Sequence, residues 1–208
     1  MDKKSSIGNV NFIIHGKRES RQIALTYDCD DYDYMAVPEI LDVLRKNEVK
    51  ATFFLTGIWV ERFSALAVKI VNEGHQIGNH SYEHSHSNQM YYDESKESIE
   101  KAEKVIKRIT GVNPKPFFRA PYGEWSQYIL KASNACGYMY NIYWSIDPSD
   151  WKSPPTKTIV ERVFKKLKGG DIVLMHGHGK NTASASNFII STLKSRGFQF
   201  KKISELVQ

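Results

Sequence analysis

Ile23-Ala24-Leu25-Thr26-Tyr27-Asp28-Cys29-Asp30-Asp31 is the stretch on which the fold turns: five apolar or β-favouring residues run into three acids interrupted by one cysteine. A run this short, rich in β-formers, reads as a buried strand. Side chains alternate along a strand, so Asp28 and Asp30 face one way and Cys29 the other. Two carboxylates side by side repel, which favours a cation between them or a raised pKa on one. An acidic loop or helix cap is the plainer reading, and it suits Asp31 best.

Outward from this strand the apolar period switches repeatedly between short runs and a 3.6-residue pattern. Residues 35–46 place Ala36, Val37, Ile40, Leu41 and Leu44 on one helical face, with Pro38 tolerated in the first turn. A strand at 51–55, a helix at 59–72 closed by Gly74, and a strand at 75–79 follow, then a polar loop at 81–89. A helix at 94–110 buries Ile99, Ala102, Ile106 and Ile109 and ends on Gly111. Beyond it come strands at 117–118, 138–144, 171–175 and 198–200, helices at 126–136, 157–168 and 184–195, and a last turn at 203–207. Such alternation implies an α/β fold with a mostly parallel sheet.

The polar residues decide between a barrel and an open sheet. Asp28 and Asp30, His80 and His84, Arg119, Asp147 and Asp150, and His176 each follow a different predicted strand. In a barrel those ends converge on one face, whereas in an open sheet they spread along a crest. The expectation is one domain over residues 1–208, folded as a distorted (β/α) barrel. It is smaller than the ~250 residues usual for the closed form, so it need not be complete.

Composition narrows the function. With 208 residues, 41% hydrophobic, 12% aromatic and 25% charged, the chain buries a sizeable core, which excludes a disordered tail, a fibre or a coiled coil. No apolar run reaches the ~20 residues that span a bilayer. Cys29 and Cys136 lack the spacing of a zinc finger or redox pair. The net charge of +6 comes without a Lys/Arg block, so a nucleic-acid partner is not expected and an anionic wall polymer is.

The strand-end clusters carry the chemistry. In His80-Ser81-Tyr82-Glu83-His84 two imidazoles four apart can converge on a zinc-sized ion, although such pairs are also common surface accidents. Ser81 replaces the general base of the zinc-protease motif, which leaves a peptidase reading dependent on Glu83. Arg119-Ala120-Pro121-Tyr122-Gly123 sets an arginine and a rigid turn after a strand, able to orient a carboxylate and to offer a backbone N–H to an oxyanion. Asp147-Pro148-Ser149-Asp150-Trp151 and Leu174-Met175-His176 complete the set. Singly these are a loop arginine, capping acids and a satisfied histidine.

Together the five clusters resemble the motifs of the polysaccharide deacetylase family, the NodB-homology domain of carbohydrate esterase family 4, from about Ile23 to Val207. That family reads T-F-D-D, H-[ST]-x-x-H, R-x-x-[YF]-G, D-x-x-D-W and L-x-H; here the first motif departs, with Cys29 between two acids that are normally adjacent. Asp28 aligns with the family's base. The same-face argument then favours Asp30 as the ligand, with Asp31 the alternative.

What the resemblance implies is a divalent metal on Asp30, His80 and His84, zinc by default, with cobalt, nickel or manganese also suited. It implies removal of an acetyl group from an N-acetylated glycan polymer or oligomer, peptidoglycan or chitin-like. Asp28 would be the base and His176 the acid, with Asp147 on the other ring nitrogen of His176. Arg119 would orient Asp28, Tyr122 N–H would face the oxyanion, and Trp151 and Leu174 would wall the acetyl methyl. Asp150 is expected to support Arg119 or the loop. His178 is expected to be an exposed loop histidine, His75 to pack and His86 to be exposed. The rival readings are an acetylxylan esterase on the same site and a carbohydrate-binding barrel without turnover. A monomer is expected, and a wall substrate further suggests an extracellular or wall-associated protein whose export segment lies outside this chain, with the cytoplasm as the alternative.

Overall fold

The computed structural model of the protein describes residues 6–7, 10–30 and 34–207. Two strands outside the pattern read from the sequence come first, β1 (Ser6–Ile7) and β2 (Val10–Ile13). Strand–helix alternation follows: β3 (Gln22–Cys29), α1 (Val37–Lys46), β4 (Thr52–Leu55), α2 (Gly57–Arg62), α3 (Ser64–Asn72), β5 (Gln76–Asn79), α4 (Tyr92–Thr110) and β6 (Phe117–Phe118). The second half continues with α5 (Gln127–Ala135), β7 (Tyr140–Ile142), α6 (Thr156–Lys166), β8 (Ile172–His176), α7 (Thr182–Ser195), β9 (Gln199–Phe200) and α8 (Ile203–Leu206).

The sheet runs β1-β2-β7-β6-β5-β4-β3-β8, with β9 beside the start of β3. Every bonded pair is parallel except β1 on β2. Parallel strands end on one rim, and the register shows which residues meet there: Asp28 stands opposite Phe54 on β4 and His176 on β8, and Asn79 opposite Phe118. Between β8 and the β2–β7 side the barrel is closed by two isolated bridges, His15 to Asp171 and Ile146 to Val173. At the lower end of this seam the buried Asp171 carboxylate accepts from Ser145 Oγ (2.7 Å), Lys168 N (2.6 Å) and Arg18. The expected distorted barrel is thus observed, with a seam in place of one ladder.

Alternation along β3 sorts the core. Tyr27 and Cys29 point out under the helices, where Tyr27 stacks on Phe53 at 5.1 Å and its hydroxyl meets Ser186 of α7. Thr26 and Asp28 point inward. Below them Ala24, Phe54, Ile142 and Ile172 fill the interior, and Ile203 and Leu206 of α8 close its floor. The apolar face of α1 is the expected one: Val37, Ile40, Leu41 and Leu44 are fully buried, each contributing about 1.5–3 kcal/mol relative to exposure.

The single helix expected at 59–72 is two helices, broken at Phe63 (φ −121°, ψ 46°), whose ring packs on Tyr34 at 4.7 Å and Trp59 at 5.5 Å. Aromatic packing there outweighs helical continuity. Among the described residues no helix is long and apolar enough to cross a membrane.

Candidate active site

Asp28 is the centre of the rim. It is buried, and Arg119, also buried at the end of β6, donates to its Oδ1 at 2.6 Å. The same guanidinium donates to Thr26 Oγ1, Ile142 O and Tyr143 O and lies over the Phe54 ring at 4.1 Å. A buried ion pair is tolerated only when its remaining donors are satisfied, as three further hydrogen bonds do here. Asp28 Oδ2 is left facing His80 Nε2 at 3.5 Å.

Asp30, His80 and His84 converge: one donor atom from each lies within 4.8 Å of the other two. His80 Nδ1 is 2.7 Å from Arg119 O, an atom that only accepts, so Nδ1 carries the proton and Nε2 presents its lone pair. Burial keeps this imidazole neutral, its pKa pushed down to about 4. The buried Nε2 has no hydrogen-bond partner among the described residues. His84 Nε2 lies 3.1 Å from Asp30 Oδ2. Burial alone would raise the Asp30 pKa, but His178 and His84 hold it well below the carboxylate range. One carboxylate and two imidazoles, with an orphaned buried nitrogen aimed between them, fit a divalent metal with open positions for water and substrate. Asp31, the other carboxylate in the register question, lies outside the described residues.

Beside Asp28, on the neighbouring strand β8, stands His176. Its Nδ1–H donates to Asp150 Oδ1 at 2.8 Å, and Asp150 Oδ2 accepts from His176 N (2.9 Å) and Thr182 Oγ1 (2.5 Å). Burial would lower the His176 pKa, but the Asp150 hydrogen bond and charge, with Asp28 and Asp30 beyond, push it up to about 9. The partner of His176 is therefore Asp150 and not Asp147, which corrects the sequence expectation for both. Ser149 takes a left-handed conformation (φ 54°) that reverses the chain between the two acids. The Asp147 carboxylate is left to accept from Ser149 N at 2.6 Å on the wall of the cleft.

An open cleft of about 540 Å³ joins these groups, walled by Tyr122, Trp144, Trp151 and Leu174 among others. Trp144 is a wall residue the sequence reading lacks. Its ring explains Gly123, where a Cβ would stand 2.6 Å from the indole. Tyr122 tilts against His84 at 4.4 Å and stacks on His86 at 4.0 Å, while His86 itself bonds Glu124. His75 packs as expected, accepting from Ala51 N. His178 is not the exposed loop histidine expected: it lines the cleft, 3.5 Å from Asp30 Oδ1.

Among the described residues, Ser81, His84, Tyr122 and Ser149 are non-glycine residues with positive φ at this site. Such conformations cost of order 1–3 kcal/mol each and persist where the surroundings over-determine them, as they do at catalytic centres.

The polysaccharide deacetylase family matches residues 15–141. This chain belongs to that family. It is 36% identical to a peptidoglycan-N-acetylglucosamine deacetylase of Bacillus cereus, over 95% of this chain and 72% of the relative. It is 32% identical to a peptidoglycan-N-acetylmuramic acid deacetylase of Bacillus subtilis, over 92% and 73%. The polysaccharide deacetylase fold is equally that of a solved CE4-family pseudoenzyme from Bacillus anthracis: TM-score 0.89 and 32% identity, over 95% of this chain and 69% of that one. The family is one of metal-dependent hydrolases, and Asp30, His80 and His84 are this member's candidate metal donors.

Proposed function

We propose that this polysaccharide deacetylase hydrolyses the N-acetyl group of N-acetylglucosamine units in peptidoglycan, releasing acetate and a free amine. The observation that carries the reading is the register of β3 against β8. It sets a buried carboxylate, Asp28, beside a histidine, His176, on the neighbouring strand, at a cleft that Asp30 and His84 of the candidate metal cluster also line. A divalent metal on Asp30, His80 and His84, zinc by default with cobalt, nickel or manganese compatible, would polarise the acetyl carbonyl and acidify a water.

The chain's own groups move the protons. Arg119 occupies Asp28 Oδ1 and leaves Oδ2 to take a proton from the attacking water as its oxygen bonds to the carbonyl carbon. Tyr122 N–H, on its left-handed turn, is the proposed donor to the resulting oxyanion. With Nδ1 committed to Asp150, His176 delivers a proton from Nε2 to the sugar nitrogen as the C–N bond breaks. Trp151 and Leu174 receive the acetyl methyl. Base, acid and donors are all present here, which argues against a barrel that binds sugar without turnover.

The substrate is tested by the appearance of free amine on N-acetylglucosamine oligomers and peptidoglycan, run beside acetate release from acetylated xylan. Amine on glucosamine residues is the expected product. Reaction of xylan alone would make the protein an acetylxylan esterase, and amine on muramic acid alone would move the site to the other wall sugar. The net charge of +6 supports work at an anionic wall, outside the cell.

The acid is tested by pH. Asp150 raises the His176 pKa to about 9, so the imidazolium persists below that value and activity falls as pH rises through it. Replacing Asp150 by Asn removes the charge and leaves burial, which favours the neutral ring. The alkaline limb of kcat/KM is therefore expected to move to lower pH in Asp150→Asn and to stay in place in Asp147→Asn. The reverse pattern would restore Asp147 as the partner.

A further inference from the structure

His178 plays no part in the proton transfers, yet the loop after β8 is shaped to bring it to Asp30. Gly177 N–H donates to Asp28 O at 2.8 Å, tying the loop to the end of β3. A Cβ on Gly177 would stand 2.9 Å from both Cys29 Sγ and Val37 Cγ2, and one on Gly179 would stand 2.2 Å from Thr182 Oγ1. Glycine on both sides allows this approach, and His178 between them has its ring 5.5 Å from that of His176.

Asp30 needs an anchor. It is the first residue beyond β3, so no ladder bond orients it, and Cys29 before it belongs to the core. Its Oδ2 is turned to His84, while its buried Oδ1 makes no regular hydrogen bond among the described residues. His178 Nδ1 lies 3.5 Å from that Oδ1 and is not one of the three mutually close donors, so it acts on Asp30 from outside the cluster.

We propose that His178 is a positioning residue: its Nδ1–H donates to Asp30 Oδ1, which keeps Oδ2 turned toward the two imidazoles and tightens divalent-metal binding. The inference rests on Asp30, His80 and His84 being metal donors. Groups that hold a ligating carboxylate or imidazole from behind typically change metal affinity by this route.

The test is competition of the metal-free full chain with a chromophoric chelator for Zn²⁺ and Co²⁺, with no substrate present. His178→Phe and His178→Ala are expected to weaken affinity roughly 10- to 100-fold, and His178→Asn, whose amide N–H falls near the Nδ1 position, to recover most of it. Thermal melts of the metal-free variants should match the parent. Affinity within about twofold of the parent in His178→Ala, or no gain in His178→Asn over His178→Ala, would overturn the proposal. A parent that binds neither metal would overturn the donor assignment itself, and the two failures are distinguishable because only the second appears in the unmutated chain.

Discussion

Asp28→Asn is expected to lower kcat/KM by roughly 100- to 10,000-fold while the metal stays bound. Asparagine keeps the volume and offers Arg119 an amide oxygen at the place of Oδ1, so the buried network closes around a neutral partner. An amide cannot accept the proton that Oδ2 is proposed to take. Alanine would be a poorer probe, since it strips a buried guanidinium of its counter-charge at a cost of about 3–5 kcal/mol and confounds turnover with folding. Steady-state kinetics beside metal analysis of the same sample settles the point. Near-normal turnover in Asp28→Asn would sink its assignment as base and move that role to Asp30 or Asp31.

The second large effect is on the metal. The double variant His80→Ala/His84→Ala is expected to bind no divalent ion and to lose all activity, because Asp30 alone among the three donors would remain. His86→Ala is the matched control. His86 is a neighbouring histidine whose contacts are with Tyr122 and Glu124 rather than with the donor cluster. Full metal occupancy in the double variant, measured by elemental analysis after dialysis, would end the assignment.

Much of this architecture was legible in the sequence because strand alternation is a hard geometric rule. The reading of Asp28 and Asp30 on one face with Cys29 on the other holds to the end of β3, where Cys29 is buried in the core and both acids line the cleft. The same rule stops at the last strand residue. Whether Asp147 or Asp150 turns back to His176 depends on Ser149 adopting a left-handed conformation, which serine does not announce. The break at Phe63 is hidden for a related reason, since the apolar period continues across it and only ring packing shows where the helix yields. β2 is hidden in the sequence because its four residues, Val10-Asn11-Phe12-Ile13, are too few and too mixed to set a period.

The seam in the barrel has a consequence for how freely this site can change. The candidate metal donors and the proposed base sit on or just beyond β3 and β5, which continuous ladders join through β4, so the protein can alter a side chain there without altering where the strand runs. The proposed acid, His176, has no such backing on its outer side, where β8 itself meets the returning chain through an isolated bridge between Val173 and Ile146. What ties that loop to the end of β8 and the first turn of α7 is the Asp150 carboxylate, which grips the His176 backbone, the His176 ring and Thr182 together. One side chain therefore sets both the basicity of His176 and its place in space. The metal half of the site is open to piecemeal adjustment, whereas the acid half can be retuned only by being rebuilt.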